Sequence, residues 1–237
     1  MLKLSSVPDF DPQRIAVHGT DAHLPKLDTK SFTLEALERH FNSVNPTHKG
    51  SWQDEFEGVS DGSSKQKAAV LIGIVQRDGA PRVLLTQRAA HMRTHSGQVA
   101  FPGGKVDPSD STLEFTALRE AKEEVGLEPG RVRILGRLQD YVTFANMVVT
   151  PVVAWLEPDF ELKLNPQEVA RAFEIPLSFL MDPSNHQHHR LEYKGQFRSW
   201  YSIAPHEQLQ GAFIWGATAS MIRGLYQFLN FHDSMTV

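Results

Sequence analysis

One stretch of this chain reads as a short, sharply bounded helix that carries more negative charge on one side than such a helix tolerates alone. Ser111 followed three residues later by Glu114 predicts a capping box, which satisfies backbone donors left open at a helix N-terminus. Gly126, then Leu127 and Pro129, predicts a Schellman-type stop, because glycine takes the left-handed conformation at little cost. Between these ends Ala117, Leu118, Ala121 and Val125 share an apolar face at helical spacing. Glu120, Glu123 and Glu124 share the adjacent face.

Like charges three or four residues apart cost an isolated helix roughly 0.2–0.5 kcal/mol per pair. Their place near the C-terminal end, where the helix dipole disfavours anions, adds to the strain. Arg119 can relieve Glu123 one turn away, but one guanidinium does not neutralise three carboxylates. A divalent cation would. An all-oxygen donor set suits Mg2+ or Mn2+ rather than zinc. A solvated acidic face is the commoner meaning of such a run, so the residues upstream have to decide.

Those residues bring a resemblance. Gly104, Arg119-Glu120-Ala121, Glu123-Glu124, Gly126 and Leu127 resemble the Nudix box, the metal-binding loop and helix of Nudix hydrolases. Arg119 to Leu127 matches throughout. Asp110 stands where the family's early Glu is expected, and the spacer from Gly104 to Arg119 is one residue longer than the general pattern. Asp110 is therefore given no metal role. Leu84-Leu85-Thr86, Arg88, Arg93, Gly97 and Phe101-Pro102-Gly103-Gly104 are similar to the second signature of the coenzyme A pyrophosphatase branch, with Ala89 where a Ser is usual.

The resemblance implies a Nudix-type α/β/α sandwich with a mixed sheet. It also implies metal ligation by Glu120, Glu123, Glu124 and the Gly103 carbonyl. Glu123 would bind metal or orient the attacking water, and Arg119 would hold the glutamates in place. Glu168, in a stretch similar to a later segment of the same branch, is the candidate for an extra ligand or general base. A Glu in the first turn of a helix, favoured by the dipole, is the simpler account of that residue. Arg88 and Arg93 are candidates for the substrate phosphates, since a guanidinium pairs with phosphate bidentately. His95 or His91 could contact the same phosphates.

The rest of the chain supplies the frame. Residues 1–66 read as an N-terminal extension: an irregular start with Pro8, Pro12 and Pro25, a helix over Ser31–Val44, then a Gly- and Ser-containing linker from Asn45 to Lys67. That helix is expected to serve packing or homodimer formation. Residues 67–230 hold the hydrolase domain, and 231–237 a tail. Ala68–Val75 predicts a buried strand, Arg82–Gln87 its hairpin partner, and Gly97–Phe101 a brief strand. Val132–Tyr141 and Met147–Leu156 are two further strands. Asn165 to Glu168 is read as opening a helix that continues through Val169, Ala172 and Phe173, with a helical turn at Ser178–Met181. His186, His188 and His189 lie among turn residues without Cys or acidic neighbours at ligand spacing, and read as a solvated loop rather than a metal site. Arg190–Ile203 alternates as a hairpin turning at Lys194-Gly195, and Ala217–Leu229 is a last helix. Trp215 before it could stack on an adenine, although core packing is the plainer expectation.

Composition narrows the chemistry. A net charge of −4 argues against nucleic acid as a partner, and the absence of cysteine excludes a disulfide scaffold, a thiolate metal site and a cysteine nucleophile. No apolar run reaches membrane-spanning length, so the expected location is cytoplasmic, away from the membrane. The expected substrate is a small nucleoside diphosphate derivative, coenzyme A or its acyl form first. ADP-ribose, NADH or a nucleoside triphosphate remain alternatives, as does a non-catalytic nucleotide-binding module.

Overall fold

A computed structural model of the chain describes residues 4, 7–43, 66–92, 95–143 and 147–233. The linker expected from Asn45 onward lies outside the described residues as far as residue 65, and so does Arg93. In chain order the elements are β1 (Val17–Thr20), α1 (Leu34–Ser43), β2 (Gln66–Arg77), β3 (Ala80–Arg88), β4 (Val99–Ala100) and β5 (Gly103–Lys105). They continue with α2 (Leu113–Val125), β6 (Val132–Arg137), β7 (Tyr141–Val142), β8 (Met147–Leu156), β9 (Val169–Pro176) and α3 (Leu177–Leu180). The hairpin β10 (His186–Tyr193) and β11 (Gln196–Ile203) and the final helix α4 (Gly216–Asp233) complete the series.

The main sheet has eight strands, with β4-β3-β2-β8-β6 as its path and β5, β7 and β9 paired off that path to β2, β8 and β3. The sheet is mixed: β2 and β8 run parallel from Gln66↔Met147 to Val75↔Leu156, and the other pairs are antiparallel. β2 alternates between two cores, as the pleat requires. Ala69, Leu71 and Val75 meet Ala117, Ala121 and Val125 of α2, whereas Ile72 and Ile74 join a cluster with α1, α3 and α4. Both faces are covered, which is the expected α/β/α arrangement. Each fully buried leucine here, such as Leu71, Leu84 or Leu156, contributes about 1.5–3 kcal/mol of transfer free energy.

Residues 7–43 are more ordered than their sequence suggests. Val17–Thr20 pairs with β10 and so builds a second, three-stranded sheet β1-β10-β11. In α1, Leu37 and Phe41 belong to the same core as the main sheet, and the Phe41 and Phe228 rings lie 4.6 Å apart. His40 Nε2 donates to the Phe228 carbonyl at 2.8 Å. The extension is bound to α4 by contacts that local pattern does not announce.

Two further expectations are corrected. The segment after Asn165 is not a helix: Val169–Pro176 is a strand paired with β3 from Arg82↔Pro176 to Arg88↔Val169. Buried Val169, Phe173 and Ile175 fit an alternating pattern as well as a helical one, and the β3 edge decides between them. The histidine run is not a solvated loop either. His186 and His189 are buried on β10, His186 Nε2 donating to the Leu180 carbonyl at 2.7 Å and His189 Nδ1 to that of Ile15 at 3.0 Å. His188 Nε2 meets Asp21 at 2.8 Å and Arg223 Nε meets the same carboxylate at 2.6 Å, so one buried acid ties the N-terminal segment to β10 and α4.

Candidate active site

The site begins with how α2 is held. Its N-cap is Thr112, whose hydroxyl accepts from Phe115 N at 3.1 Å, one residue beyond the expected Ser111. Glu114 does not close a capping box, because it pairs with Arg137 of β6. At the other end Gly126 is left-handed, with φ 72°, and its N–H meets the Lys122 carbonyl at 3.0 Å. The small side chains Ala117 and Ala121 let α2 lie close on β2 and β5. At Gly104 the approach is so close that a Cβ would lie 2.5 Å from both Glu120 carboxylate oxygens. Only glycine leaves room for that carboxylate. At Gly103 a Cβ would lie 2.5 Å from the Ala69 carbonyl oxygen, and the Gly103 N–H donates to Glu124 Oε2 at 3.2 Å.

The three glutamates part company here. Glu124 is buried, at 3% exposure, and Glu120 is mostly covered, whereas the Glu123 side chain is 55% exposed. Arg119 explains the positions of two of them. Its Nε and Nη2 grip both oxygens of Asp110 at 2.9 Å, Nη1 reaches Glu120 at 2.9 Å and Glu123 at 3.3 Å, and Nη2 also reaches the Lys105 carbonyl at 3.1 Å. With its donors committed in this way, Arg119 acts as a clamp. Asp110, which sequence reasoning left without a role, is its anchor, held in turn by Thr116 Oγ1 at 2.8 Å and Asp107 N at 2.9 Å. The signal was present: Asp110 occupies the early acidic position of the motif.

Arg88, His95, Gly103, Glu120, Glu124 and Glu168 all line one cavity of about 610 Å3. Glu168 arrives on the turn before β9, which is sewn to both neighbours. Asn165 N donates to the Glu124 carbonyl at 2.9 Å, and Ala89 N donates to the Glu168 carbonyl at 2.8 Å. Asn165 Nδ2 reaches the Glu168 carboxylate at 3.3 Å. Arg88 Nη1 lies 3.7 Å from Glu124 Oε1, while its buried Nε has no hydrogen-bond partner among the described residues. His95 is left-handed at φ 56° and turns its Nδ1 to Gln98 Oε1 at 2.9 Å on the rim. Glu123 and Arg119 do not line the cavity, and Arg93 lies outside the described residues.

The electrostatics mark this cavity as under-neutralised. Burial pushes Glu124 up to about 7, the Gly103 N–H and Arg88 oppose the rise, and Glu120 and Glu168 reinforce it. Burial also raises Glu120; Arg119 opposes that, and Glu123 and Glu168 add to it. By contrast the paired carboxylate of Asp110 is held well below the usual range, chiefly by Arg119. Among the described residues no three His, Cys, Asp or Glu side chains already converge as a ready metal cage. The donor set still fits a hard cation. Two covered carboxylates that repel each other, a third across the cavity and oxygen donors alone are what Mg2+ or Mn2+ favours.

Comparison with known proteins shows the family. Residues 65–195 match the model of the NUDIX domain. A protein named uncharacterized Nudix hydrolase NudL from Enterobacter sp. (strain 638) is 43% identical over 200 residues, covering 84% of this chain and 96% of that one. The protein of the same name from Photorhabdus laumondii is 41% identical over 164 residues, covering 69% of this chain and 85% of its own. Among solved structures, a C. elegans Ap4A hydrolase is 24% identical over 50% of this chain and 85% of its own, with a TM-score of 0.42. Among the described residues no helix is long and apolar enough to cross a membrane.

Proposed function

The chain belongs to the NUDIX family, a family of hydrolases of nucleoside diphosphate derivatives that generally need divalent metal ions, and from that premise we propose that it cleaves coenzyme A or an acyl derivative. The products are adenosine 3′,5′-bisphosphate and 4′-phosphopantetheine or its acyl form. The observation that carries the reading is the meeting of Arg88, Glu120, Glu124 and Glu168 in one cavity. The upstream signature from Leu84 to Gly104 supports the choice of coenzyme A. So does the apolar lining that continues from the carboxylates through Val99, Phe101, Met147 and Met221, which suits a long pantetheine arm.

Glu120, Glu124 and the Gly103 carbonyl would hold Mg2+ or Mn2+, with Glu123 able to swing in from the surface. When bound, the ion supplies neutralisation of the diphosphate and activation of the attacking water. Arg88 pairs with a phosphate oxygen, and the acceptor missing from its Nε is then supplied by substrate. Glu168, half-buried and anchored through Asn165, accepts the proton of the water. His95 donates to a phosphate from the rim. Arg119 keeps Glu120 in the ligating position through its own grip on Asp110.

The test is hydrolysis of coenzyme A, ADP-ribose and NADH by the purified chain with Mg2+ and with Mn2+, products resolved by chromatography. Preferential release of adenosine 3′,5′-bisphosphate is expected. Preferential cleavage of ADP-ribose or NADH would keep the glutamate chemistry and overturn the substrate. Inactivity on all three would leave the nucleotide-binding module as the better reading.

A further inference from the structure

The turn that carries His95 to the rim of the cavity is held from behind, by a side chain that does not itself line the cavity. Arg88 lines it and Gln87, the preceding residue of β3, does not, as alternation along a strand requires. Gln87 Nε2 donates to the Gly97 carbonyl at 2.9 Å. Gln87 Oε1 accepts from both Nε and Nη2 of Arg171 on β9, at 2.9 and 2.7 Å. The two partners fix the orientation of the amide, since a guanidinium only donates and a carbonyl only accepts.

Arg171 is itself fixed. Its Nη1 donates to Gln210 Oε1 at 2.9 Å, and the guanidinium lies 5.1 Å over the Phe173 ring. Its hydrogen-bond acceptors among the described residues are amides rather than carboxylates, so its charge polarises the Gln87 amide and strengthens the N–H that holds Gly97. Gln210 lies beyond the 65–195 segment that matches the NUDIX domain, so the C-terminal part of the chain buttresses this turn.

The turn needs such support. His95, a non-glycine residue, is left-handed at φ 56°, and Gly97 is left-handed at φ 69°. A backbone of this kind persists where its surroundings over-determine it. Two main-chain bonds help, Gln98 N donating to the His95 carbonyl at 3.2 Å and Arg88 N to the Gln98 carbonyl at 2.9 Å. Gln87 adds the side chain that ties the turn to β3 and, through Arg171, to β9.

We infer that Gln87, oriented by Arg171, is a positioning residue for substrate: it fixes the 95–98 turn so that His95 meets the diphosphate beside Arg88. The inference rests on the hydrolase reading above and deepens it. Its expected signature is weaker substrate binding with the chemical step intact.

Gln87→Glu on the full chain separates positioning from packing. A glutamate keeps the contact with Arg171, now as an ion pair, and sets an acceptor where Gly97 needs a donor. The melting temperature should hold, while hydrogen exchange at the Gln98 amide should rise about 5- to 10-fold, the scale of one hydrogen bond. In hydrolysis of coenzyme A with Mg2+, KM should rise about 10-fold with kcat within about twofold. Arg171→Met leaves the amide in place but unpolarised. It should raise KM about 2- to 3-fold, and it carries the comparison where Gln87→Glu does not fold. Unchanged KM, a fall in kcat without a rise in KM, or unchanged exchange would overturn the inference. Where the wild type cleaves none of coenzyme A, ADP-ribose and NADH, the hydrolase reading fails by itself. Calorimetry with adenosine 5′-diphosphate and Mg2+ then decides the positioning role: about 10-fold weaker binding in Gln87→Glu supports it, and equal affinity removes it.

Discussion

Two runs of titratable residues stand out in this chain, the glutamates of α2 and the histidines of β10, and the fold treats them in opposite ways. The histidines are engaged from within: His186 Nε2 by the Leu180 carbonyl, with its Nδ1 facing Asp21 at 3.7 Å, His188 by Asp21, and His189 by the Ile15 carbonyl and the Ser202 hydroxyl. Asp21, at 1% exposure, is pushed up by burial, but His186, His188 and Arg223 more than reverse that and leave it well below the usual carboxylate range. The glutamates are left with more charge than the fold cancels, and Glu124 rises to about 7. Compensated charge holds elements together. Uncompensated charge facing a cavity is available for a ligand.

The contrast can be broken most forcefully at Glu124. Glu124→Gln is expected to lower kcat/KM by about 10^3-fold, the scale of a lost metal contact, while the melting temperature holds or rises because a buried repulsion is gone. Steady-state kinetics and a thermal melt on the same sample check both halves. Asp21→Asn should do the reverse. Removing one partner of a buried pair costs about 3 kcal/mol, seen as a lower denaturation midpoint, with kcat/KM unchanged where the protein remains folded. Asp110→Asn lies between them. It loosens the Arg119 clamp without touching the cavity, so kcat should fall about 10- to 100-fold, and circular dichroism should show an intact fold.

The smallest effect separates the two regions by sign. Glu124 has a folded-state value near 7 against an ordinary 4.5, so the metal-free folded state holds a proton that the unfolded state has lost. Its contribution to stability therefore falls as pH rises from about 4.5 to 7. His189 is lowered from its ordinary 6.5 by burial, so its contribution falls as pH drops below about 6.5. Melting temperatures in chelator across that window should lose the first slope in Glu124→Gln and the second in His189→Gln, each by a few degrees. Variants with the same slope as the wild type would show that neither group is perturbed.

Much of the frame is legible from local pattern. β2, β8, α2 and the hairpin at Lys194-Gly195 each declare themselves by apolar period and turn residues. What is not legible depends on distant partners. Val169–Pro176 has the apolar spacing of either element, and it is a strand because β3 offers an edge. The histidine run looks solvated until Asp21, more than a hundred residues earlier, is placed beneath it. At the site, helical spacing puts the three glutamates on one side, yet it does not say which of them the Gly103-Gly104 strand buries. The fold selects Glu120 and Glu124 and leaves Glu123 outside. Asp110 was missed because it works through a tertiary neighbour, Arg119, nearly two turns into the helix.

The central claim is that the carboxylates of α2 form a shared cation site, and metal binding tests it most directly. Calorimetric titration with Mn2+, accompanied by melting curves with and without Mg2+, should show binding and a raised melting temperature in the wild type. Both should vanish in the Glu120→Gln/Glu124→Gln double variant. An equal affinity and an equal thermal shift in the two proteins would contradict the account.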